Sequence, residues 1–305
     1  NTNIHFKNFI LSVYIISFLL GLPANLLALY AFSVKIRSRP RPTDILLLNL
    51  TVSDLLFLLV LPLKMHEAAS GMTWTLPDAM CSVTAFLFFC SIYTSCLLLM
   101  AVSVVRYVAV AFPVTYRTLC KPVYAIVCSA VMWGISVTHC TIIFITQHHP
   151  SLSRNNSTQC YEGFSDNQLQ ILLPVRLEIF SILCLIPLLV CVFCYLRCIH
   201  LLYRRPQISP QQKHKAIGMA LGTLAVFLVC MLPFGLSHLL GYVQGKSPVW
   251  RHYTLLLSTL NTCLDPIIFY FSSSTFRARI NKAVFWGRNE LPISVEQGQP
   301  GSSDS

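Results

Sequence analysis

Seven long apolar runs dominate this 305-residue chain and set what it can fold into. A helix needs about 20 mainly apolar residues to cross the hydrocarbon core of a bilayer. In lipid a helix satisfies its own backbone hydrogen bonds, which is why such runs become helices. The pattern predicts an all-α membrane protein built as a bundle of seven transmembrane helices. The seven runs are 9–32, 45–63, 80–112, 123–146, 169–203, 216–243 and 253–271.

The charge content supports a membrane protein and argues against a nucleic-acid partner. Only 11% of the residues are charged, whereas a soluble domain carries about 25%. The formal net charge of +11 would suit nucleic acid only if the basic residues shared one soluble face. They lie instead in short loops between apolar runs, so we expect membrane lipid, and no nucleic acid, around this chain.

The loops alternate between basic and nearly neutral, and this predicts the orientation. One set of loops holds 14 Lys and Arg residues and the opposite set holds 5. Because basic loops stay on the cytoplasmic side, the N-terminus is predicted to be extracellular and the C-terminus cytoplasmic. The basic set is 33–44, 113–122, 204–215 and the chain from 272, and the other set is 1–8, 64–79, 147–168 and 244–252.

Two further features agree with this orientation. Asn155 and Asn156 begin overlapping glycosylation acceptors in a loop assigned to the outside. Cys81 begins the third run on the outer side, and Cys160 lies in the second outer loop. Disulfides form in oxidising surroundings, so a bridge between these two cysteines is plausible. The alternative, two unpaired thiols, stays open at this point.

The segment after the seventh run has a helical amphipathic pattern. Phe276, Ile280 and Val284 recur at four-residue spacing, and basic residues occupy the other faces. Such a helix lies on the inner membrane surface. We therefore expect one seven-helix domain over 1–285, including this short amphipathic cytoplasmic helix, and a polar tail at 286–305 that is predicted to be disordered.

Each of the seven runs also carries a landmark, and all of them occur in order. Together they resemble the rhodopsin-like (class A) G-protein-coupled receptors over roughly residues 9–285. The landmarks are Gly21-Leu-Pro-Ala-Asn25, Leu50-x-x-x-Asp54, Cys81 with Arg106-Tyr107, Trp133, Pro187 with Tyr195, Cys230-x-x-Pro233 and Asp265-Pro266-x-x-Phe269. The resemblance implies a plasma-membrane location, G proteins and arrestin as partners, and a coupling switch at Arg106, Tyr107, Tyr195, Pro233, Asp265 and Pro266.

A narrower set of motifs is similar to the free fatty acid receptors, and most to their short-chain branch. These motifs are His139-Cys-Thr, Cys160-Tyr-Glu162, Asp166-Asn-Gln-Leu, Pro174-Val-Arg-Leu-Glu178, Ser237-His238, Ser247-Pro-x-Trp-Arg251 and Asp265-Pro-x-x-Phe-Tyr-Phe-Ser-Ser-Ser274. The resemblance implies a receptor for carboxylates such as acetate, propionate and butyrate. It also implies coupling to Gi/o and Gq/11.

Three basic side chains are expected to meet in the outer half of the bundle. Arg176 lies in the outer part of the fifth run, where an arginine costs about 2.5–3.5 kcal/mol unless it faces a partner or a wet cavity. Arg251 stands at the outer mouth of the seventh run, and His238 lies five residues beyond Pro233. A guanidinium binds a carboxylate through two parallel hydrogen bonds, so this set favours a small anion with a short apolar tail.

The family pattern adds Tyr93 and His139 as polar groups near the ligand, and Glu162 as the resident acid. Purely structural interpretations of these residues also remain. Arg251 could extend toward lipid headgroups, Arg176 could form a structural ion pair with Glu162, and each histidine could be an ordinary core polar group.

The chain departs from the receptor pattern in two places. Val105 stands where an acid usually precedes Arg106, and Lys213 stands where span six often supplies a second acid. Because Arg106 then lacks both restraining partners, we hypothesise raised basal activity. Phe234 and Gly235 also replace the residues found in receptor 2 of the branch, so the preferred chain length is left open.

Asp54, Ser95, Asn261 and Asp265 match the polar cluster that holds sodium in related receptors. A buried carboxylate needs a partner or a proton, and plain hydrogen bonding is the alternative to an allosteric sodium ion. No other cofactor is expected.

Other functional classes fit less well. Transporters are built from matching halves, which these seven runs do not form. Thr259 occupies the position where an opsin needs a lysine, and no HExxH or GxSxG motif suggests an enzyme. The alternative that stays open is a receptor of the same fold for another small carboxylate, either a hydroxy acid or a longer fatty acid.

Overall fold

The computed structural model describes residues 2–152, 158–272 and 274–285. Within these ranges the regular secondary structure is helical throughout. The helices are α1 Thr2–Ser38, α2 Pro42–Ala69, α3 Asp78–Ala111, α4 Pro113–Leu119, α5 Pro122–Cys140, α6 Ile142–His148, α7 Asp166–Ile179, α8 Ile186–Tyr203, α9 Pro210–Val226, α10 Leu232–Gln244, α11 Arg251–Ser272 and α12 Ser274–Phe285. Two π-helical segments, Phe180–Leu185 and Phe227–Met231, join α7 to α8 and α9 to α10.

These helices form seven spans that are long and apolar enough to cross a membrane, as the sequence predicts. Spans one, two, three and seven are the single helices α1, α2, α3 and α11. Span four joins α5 and α6, span five joins α7 and α8, and span six joins α9 and α10. The helices extend past the apolar runs because a helical backbone stays hydrogen-bonded where the side chains become polar.

Span three is the centre of the bundle. Its Phe88 and Leu98 are fully buried, and Phe88 stacks on Phe57 of span two at 4.2 Å between ring centroids. Span three also packs along α8 of span five and against span four. Large apolar side chains on the outer faces of the other spans, such as Leu19 and Leu59, stay exposed because lipid is their solvent.

Proline shapes spans five and six. Proline has no backbone N–H, so it leaves a carbonyl in the preceding turn without its helical partner. Pro187 and Pro233 each lie at the start of the helix that follows a π-helical segment. In span six, Ser258 of span seven donates its hydroxyl to the carbonyl of Cys230 at 3.1 Å. Span seven therefore hydrogen-bonds span six within the π-helical segment that precedes Pro233.

Gly235 lets spans five and six approach at this distortion. A Cβ atom at position 235 would lie 2.5 Å from Cys184 Sγ and 3.1 Å from Phe180 Cδ2. These distances are below ordinary van der Waals contact, so a larger side chain would push the two spans apart. Gly235, a departure from receptor 2 in the sequence, is thus required by the close packing of spans five and six.

Span seven carries its own proline, and span one compensates for it. Pro266 cannot donate to the carbonyl of Thr262, four residues earlier. Asn25 Nδ2 donates to that carbonyl at 2.8 Å and also to the carbonyl of Gly21 at 2.8 Å. Asn25 is fully buried, so one amide group joins span one to the proline break of span seven.

The amphipathic helix after span seven is confirmed as α12. Its Phe276 is buried between Phe32 of span one and Phe269 of span seven, with ring centroids 4.9 and 6.4 Å away. The predicted tail at 286–305 lies outside the described residues.

The opposite end of the bundle is closed by the segment between spans four and five. Cys81 and Cys160 form a disulfide, as predicted. The N–H of Cys160 also donates to Glu67 Oε1 at 2.9 Å. We call this the disulfide end and the opposite one the Arg106 end. The predicted glycosylation sites, Asn155 and Asn156, lie outside the described residues.

Replacing Asn25 with alanine should lower the stability of the bundle by about 1–3 kcal/mol, because a buried carbonyl loses its only replacement donor. Thermal unfolding of the purified protein in lipid nanodiscs measures this. Leu26→Ala is the control, since Leu26 is 49% exposed on the lipid-facing side. Equal unfolding midpoints for the two variants would contradict this role of Asn25.

Candidate functional site

Two arginines are buried at the disulfide end. Arg176 of α7 is 3% exposed and Arg251, the first residue of α11, is 2% exposed. Burying a guanidinium is costly unless hydrogen bonds and an opposite charge compensate it. We call these two residues the arginine pair. Their hydrogen-bond and ion-pair partners therefore indicate which interaction the site lacks.

Arg251 has an acidic partner. Its Nη1 donates to Glu162 Oε1 at 2.8 Å. Its guanidinium carbon lies 5.1 Å from the ring centroid of Phe89 and 5.5 Å from that of Phe234, within the range of cation–π attraction. Arg251 thus points into the bundle and not toward lipid headgroups.

Arg176 has no such partner. Its Nη1 donates to the hydroxyl of Ser247 at 3.2 Å, and its Nη2 is buried without a hydrogen bond. Its guanidinium also packs against the ring of Phe164, 5.3 Å from the centroid. Among the described residues no carboxylate lies within ion-pair distance of Arg176. Glu162 pairs with Arg251, so the Arg176–Glu162 ion pair considered from sequence does not form in the structure.

The local sequence of span five fixes where Arg176 lies. Ser165 and Gln168 form a capping box that starts α7, satisfying backbone N–H groups that the first turn leaves free. Gln168 Nε2 also donates to the carbonyl of Thr146 in span four at 2.9 Å. Span five therefore starts at a fixed point, and Arg176 follows two turns later.

Tyr93 and His238 form a second polar contact beneath the arginine pair. Tyr93 Oη lies 2.8 Å from His238 Nε2. His238 is 1% exposed, and its Nδ1 has no hydrogen-bond partner. The imidazole packs edge-on against Phe234 at 4.7 Å. The structure thus brings together five of the six predicted ligand residues, which are Arg176, Arg251, Tyr93, His238 and Glu162.

A cavity of about 10 Å³, enough for about one water molecule, lies beside these groups. Its polar side is formed by Arg176, Arg251, Tyr93 and Tyr161, and its apolar wall comes from spans three, four and five. The apolar lining consists of Phe89, Cys140, Ile142, Ile143, Leu172 and Ile179. A cationic end and an apolar end in one small cavity suit an anion with a hydrocarbon tail.

Tyr161 was not singled out from sequence, although it lies between Cys160 and Glu162 in a quoted motif. It is buried at the cavity with φ 54°, a left-handed backbone conformation unusual for a bulky residue. Burial raises the pKa of Tyr161, so its hydroxyl stays protonated at neutral pH and can donate to an anion.

His139 is not brought to the cavity. Its Nδ1 lies 2.7 Å from the carbonyl of Ile135, and its Nε2 lies 3.2 Å from Glu178 Oε1. The Glu178 side chain is 53% exposed and lies on a different face of α7 from Arg176, because residues two apart on a helix do not face the same side. Any ligand role of His139 would have to act through a different arrangement.

The Arg106 end holds the second predicted site. Arg106 Nη1 donates to the hydroxyl of Tyr195 in span five at 2.9 Å. Among the described residues no carboxylate pairs with Arg106, which agrees with the acids missing at Val105 and Lys213. Tyr107 points toward Phe112 and Phe193, with ring centroids 6.1 and 5.8 Å away.

Comparison with known proteins agrees with this architecture. Residues 24–269 match the family model described as 7 transmembrane receptor (rhodopsin family). Free fatty acid receptor 3 of Mus musculus is 46% identical over 96% of this chain and 95% of its own length. Free fatty acid receptor 2 of Homo sapiens is 47% identical over 93% of this chain and 87% of its own length. The chain belongs to the free fatty acid receptors of the rhodopsin family.

This membership confirms a multi-pass plasma-membrane receptor and not an enzyme. The motifs favour a nearer likeness to receptor 2 than to receptor 3. The identities of 47% and 46% do not separate the two branches, so that finer preference stays a prediction.

The free fatty acid receptor also contains a buried acidic cluster between its two ends. Asp54 and Asp265 are neighbouring buried carboxyl groups that interact with each other, and Asn261 Nδ2 donates to Asp265 Oδ2 at 3.3 Å. Asp54 Oδ2 and Asn261 Oδ1 are buried without hydrogen bonds. Ser95, the fourth predicted residue, contacts Ser53 at 3.1 Å. Oxygen donors with unused lone pairs fit a hard cation such as sodium.

Glu162→Gln should increase the affinity for propionate by up to about fivefold, because a bound carboxylate then has no competitor for Arg251. Titration of purified receptor by changes in intrinsic fluorescence measures the affinity. Glu178→Gln is a matched control, since Glu178 pairs with His139 away from the cavity. An unchanged affinity in Glu162→Gln, or the same change in the control, would contradict this competition.

Proposed function

We propose that this chain is a receptor for short-chain fatty acids such as acetate, propionate and butyrate, and that it signals through Gi/o and Gq/11 proteins. The observation that carries the proposal is Arg176, a buried cation with an unused N–H and no carboxylate partner among the described residues. A ligand carboxylate supplies the missing charge.

The site favours a carboxylate over a neutral ligand. A guanidinium and a carboxylate match in geometry and form short, charge-assisted hydrogen bonds. Arg176 and Arg251 can share one carboxylate, while the protonated Tyr161 donates a further hydrogen bond. A carboxylic acid with a reference pKa near 4 is ionised at neutral pH, so the ligand arrives in the form that the site binds.

The size of the site bounds both the ligand and its affinity. The cavity of about 10 Å³ is smaller than acetate, so its wall moves outward when a ligand binds, and the apolar residues of that wall favour a short hydrocarbon tail. The four heavy atoms of acetate can contribute at best about −6 kcal/mol, or tens of micromolar. Such a receptor responds to metabolic, near-millimolar concentrations of its ligand.

The names of the relatives support this ligand class, and the charge of the loops supports the direction of signalling. Both proteins compared above are named as free fatty acid receptors. We place the disulfide end outside the cell and the Arg106 end in the cytoplasm, because the loops at the Arg106 end carry most of the basic residues. The G proteins and arrestin would then bind around Arg106.

Arg176→Ala and Arg251→Ala should each weaken the response to propionate by roughly 30-fold or more, because truncating a buried charge partner costs about 2 kcal/mol or more. Calcium and cAMP responses of cells to acids of two to eight carbons provide the measurement. Propionamide, which lacks the charge, should be inactive on the wild type.

His139→Ala serves as the matched control, since the structure places His139 outside the cavity. Surface expression of each variant must equal that of the wild type. A wild type that responds best to a longer or hydroxylated acid would support the alternative ligand class. Retained propionate responses in both arginine variants would overturn the proposed anchor.

The acidic cluster supports a second proposal, that a sodium ion binds beside Asp54, Ser95, Asn261 and Asp265. Two adjacent buried carboxyl groups cannot both stay charged without a cation or a shared proton. The unpartnered oxygens of Asp54 and Asn261 provide ligands for the cation. A shared proton is the competing explanation.

Sodium chloride should raise the unfolding temperature of the purified receptor more than potassium chloride does, and Asp54→Asn should abolish the difference. Asp44→Asn is the control, because Asp44 is a buried acid paired with Lys35 at 2.9 Å outside the cluster. Equal effects of the two salts on the wild type would favour the shared proton.

The missing acids beside Arg106 predict signalling in the absence of ligand. Val105→Glu should lower basal G-protein activation about fivefold, since an ion pair of about 1 kcal/mol would restrain Arg106 in the inactive state. Nucleotide exchange by the G protein without ligand measures this. Val105→Gln is the uncharged control, and an unchanged basal rate in Val105→Glu would disprove the idea.

A further inference from the structure

A groove at the Arg106 end has no role in the proposed function. It encloses about 270 Å³ between spans two, three and four. Its wall is formed by Leu46, Met100, Ala101, Val104, Val105 and Met132, together with Pro42, Cys120, Tyr124, Ala125 and Cys128. Lys121 is the one charged residue of the lining. The groove is therefore apolar along its length and basic at one end.

The mouth of the groove opens onto the surface that lipid covers. Val104 is 37% exposed and Tyr124 is 59% exposed, and both lie on the outer faces of membrane spans. An apolar concavity at that surface can be filled by a hydrocarbon chain without desolvating any polar group. A water-soluble ligand would have to enter through the bilayer.

Three basic residues lie at or near the groove in the chain. Lys121 lines the groove, Arg41 directly precedes the lining residue Pro42, and Arg117 lies on α4, four residues before Lys121. All three are exposed, and among the described residues none has a carboxylate within ion-pair distance. The nearest acid, Asp44, is buried and already paired with Lys35 at 2.9 Å. These free cations favour an anionic headgroup.

We propose that this groove, the span-four groove, binds an anionic phospholipid of the adjacent leaflet. One acyl chain lies against Met100, Val104 and Val105, and the phosphate headgroup lies between Arg41 and Lys121. The site goes beyond the proposed ligand function, since it uses none of the carboxylate-site residues. Because Val105 directly precedes Arg106, a lipid in this groove also packs against the helical turn that carries Arg106.

Photocrosslinking in nanodiscs tests the site. The full chain is reconstituted in phosphatidylcholine with a small fraction of a phospholipid that carries a diazirine on its acyl chain. The probe has either a phosphoglycerol or a phosphocholine headgroup on identical chains. Peptide mapping should find several-fold more labelling at 100–105 and 124–132 with the phosphoglycerol probe.

Val104→Trp fills the mouth of the groove and should remove this labelling. Val52→Trp is the matched control, because Val52 is also 37% exposed on a membrane span but lies outside the groove. If Val104→Trp fails to fold, Arg41→Gln combined with Lys121→Gln keeps the apolar wall intact. That double variant should reduce phosphoglycerol labelling to the phosphocholine level, whereas Arg204→Gln with Lys215→Gln should not.

Equal labelling by the two headgroups, or labelling that survives Val104→Trp, would overturn the proposal and leave only ordinary bilayer contact. A photoreactive sterol that labels the groove more strongly than the phosphoglycerol probe would overturn it in favour of a sterol. The readout involves no fatty-acid response, so it stands or fails independently of the carboxylate site.

Discussion

Burial of two guanidinium groups at one end of an apolar bundle is the constraint on which the rest of the site depends. The protein compensates only one of them. Arg251 has the carboxylate of Glu162 at 2.8 Å and two aromatic rings, whereas Arg176 has a serine hydroxyl and an aromatic ring. The site without ligand thus carries an excess positive charge in surroundings of low dielectric, where an added anion interacts strongly.

The same logic explains how the bundle tolerates its prolines. Pro266 removes the backbone hydrogen bond to the carbonyl of Thr262, and Asn25 of span one provides the substitute. Just before Pro233, Ser258 of span seven hydrogen-bonds the carbonyl of Cys230. Helices that depend on each other in this way cannot move independently. A shift of span six at the ligand end must therefore change its contacts with span seven.

The two ends of the receptor are connected through these same spans. His238 contacts Tyr93 of the proposed carboxylate site and lies about one and a half turns beyond Pro233, while span seven runs from Arg251 through the acidic cluster at Asp265. At the far end, Arg106 is held by one neutral hydroxyl, that of Tyr195, and by no carboxylate among the described residues. A weakly held switch suits a receptor whose small ligand provides little binding energy.

The sequence by itself determined the number of spans, the amphipathic helix and the identity of the two arginines. Each of these follows from a local signal, which is the length of an apolar run, a helical repeat or the free-energy cost of a charge in lipid. Residues elsewhere in the chain do not change these signals. Only the tertiary structure decided that Glu162 pairs with Arg251 and that His139 turns to Glu178. It alone revealed Tyr161, the apolar wall of the cavity and the span-four groove. Contacts between residues tens of positions apart depend on how each helix rotates and tilts against its neighbours, and no single segment carries that information.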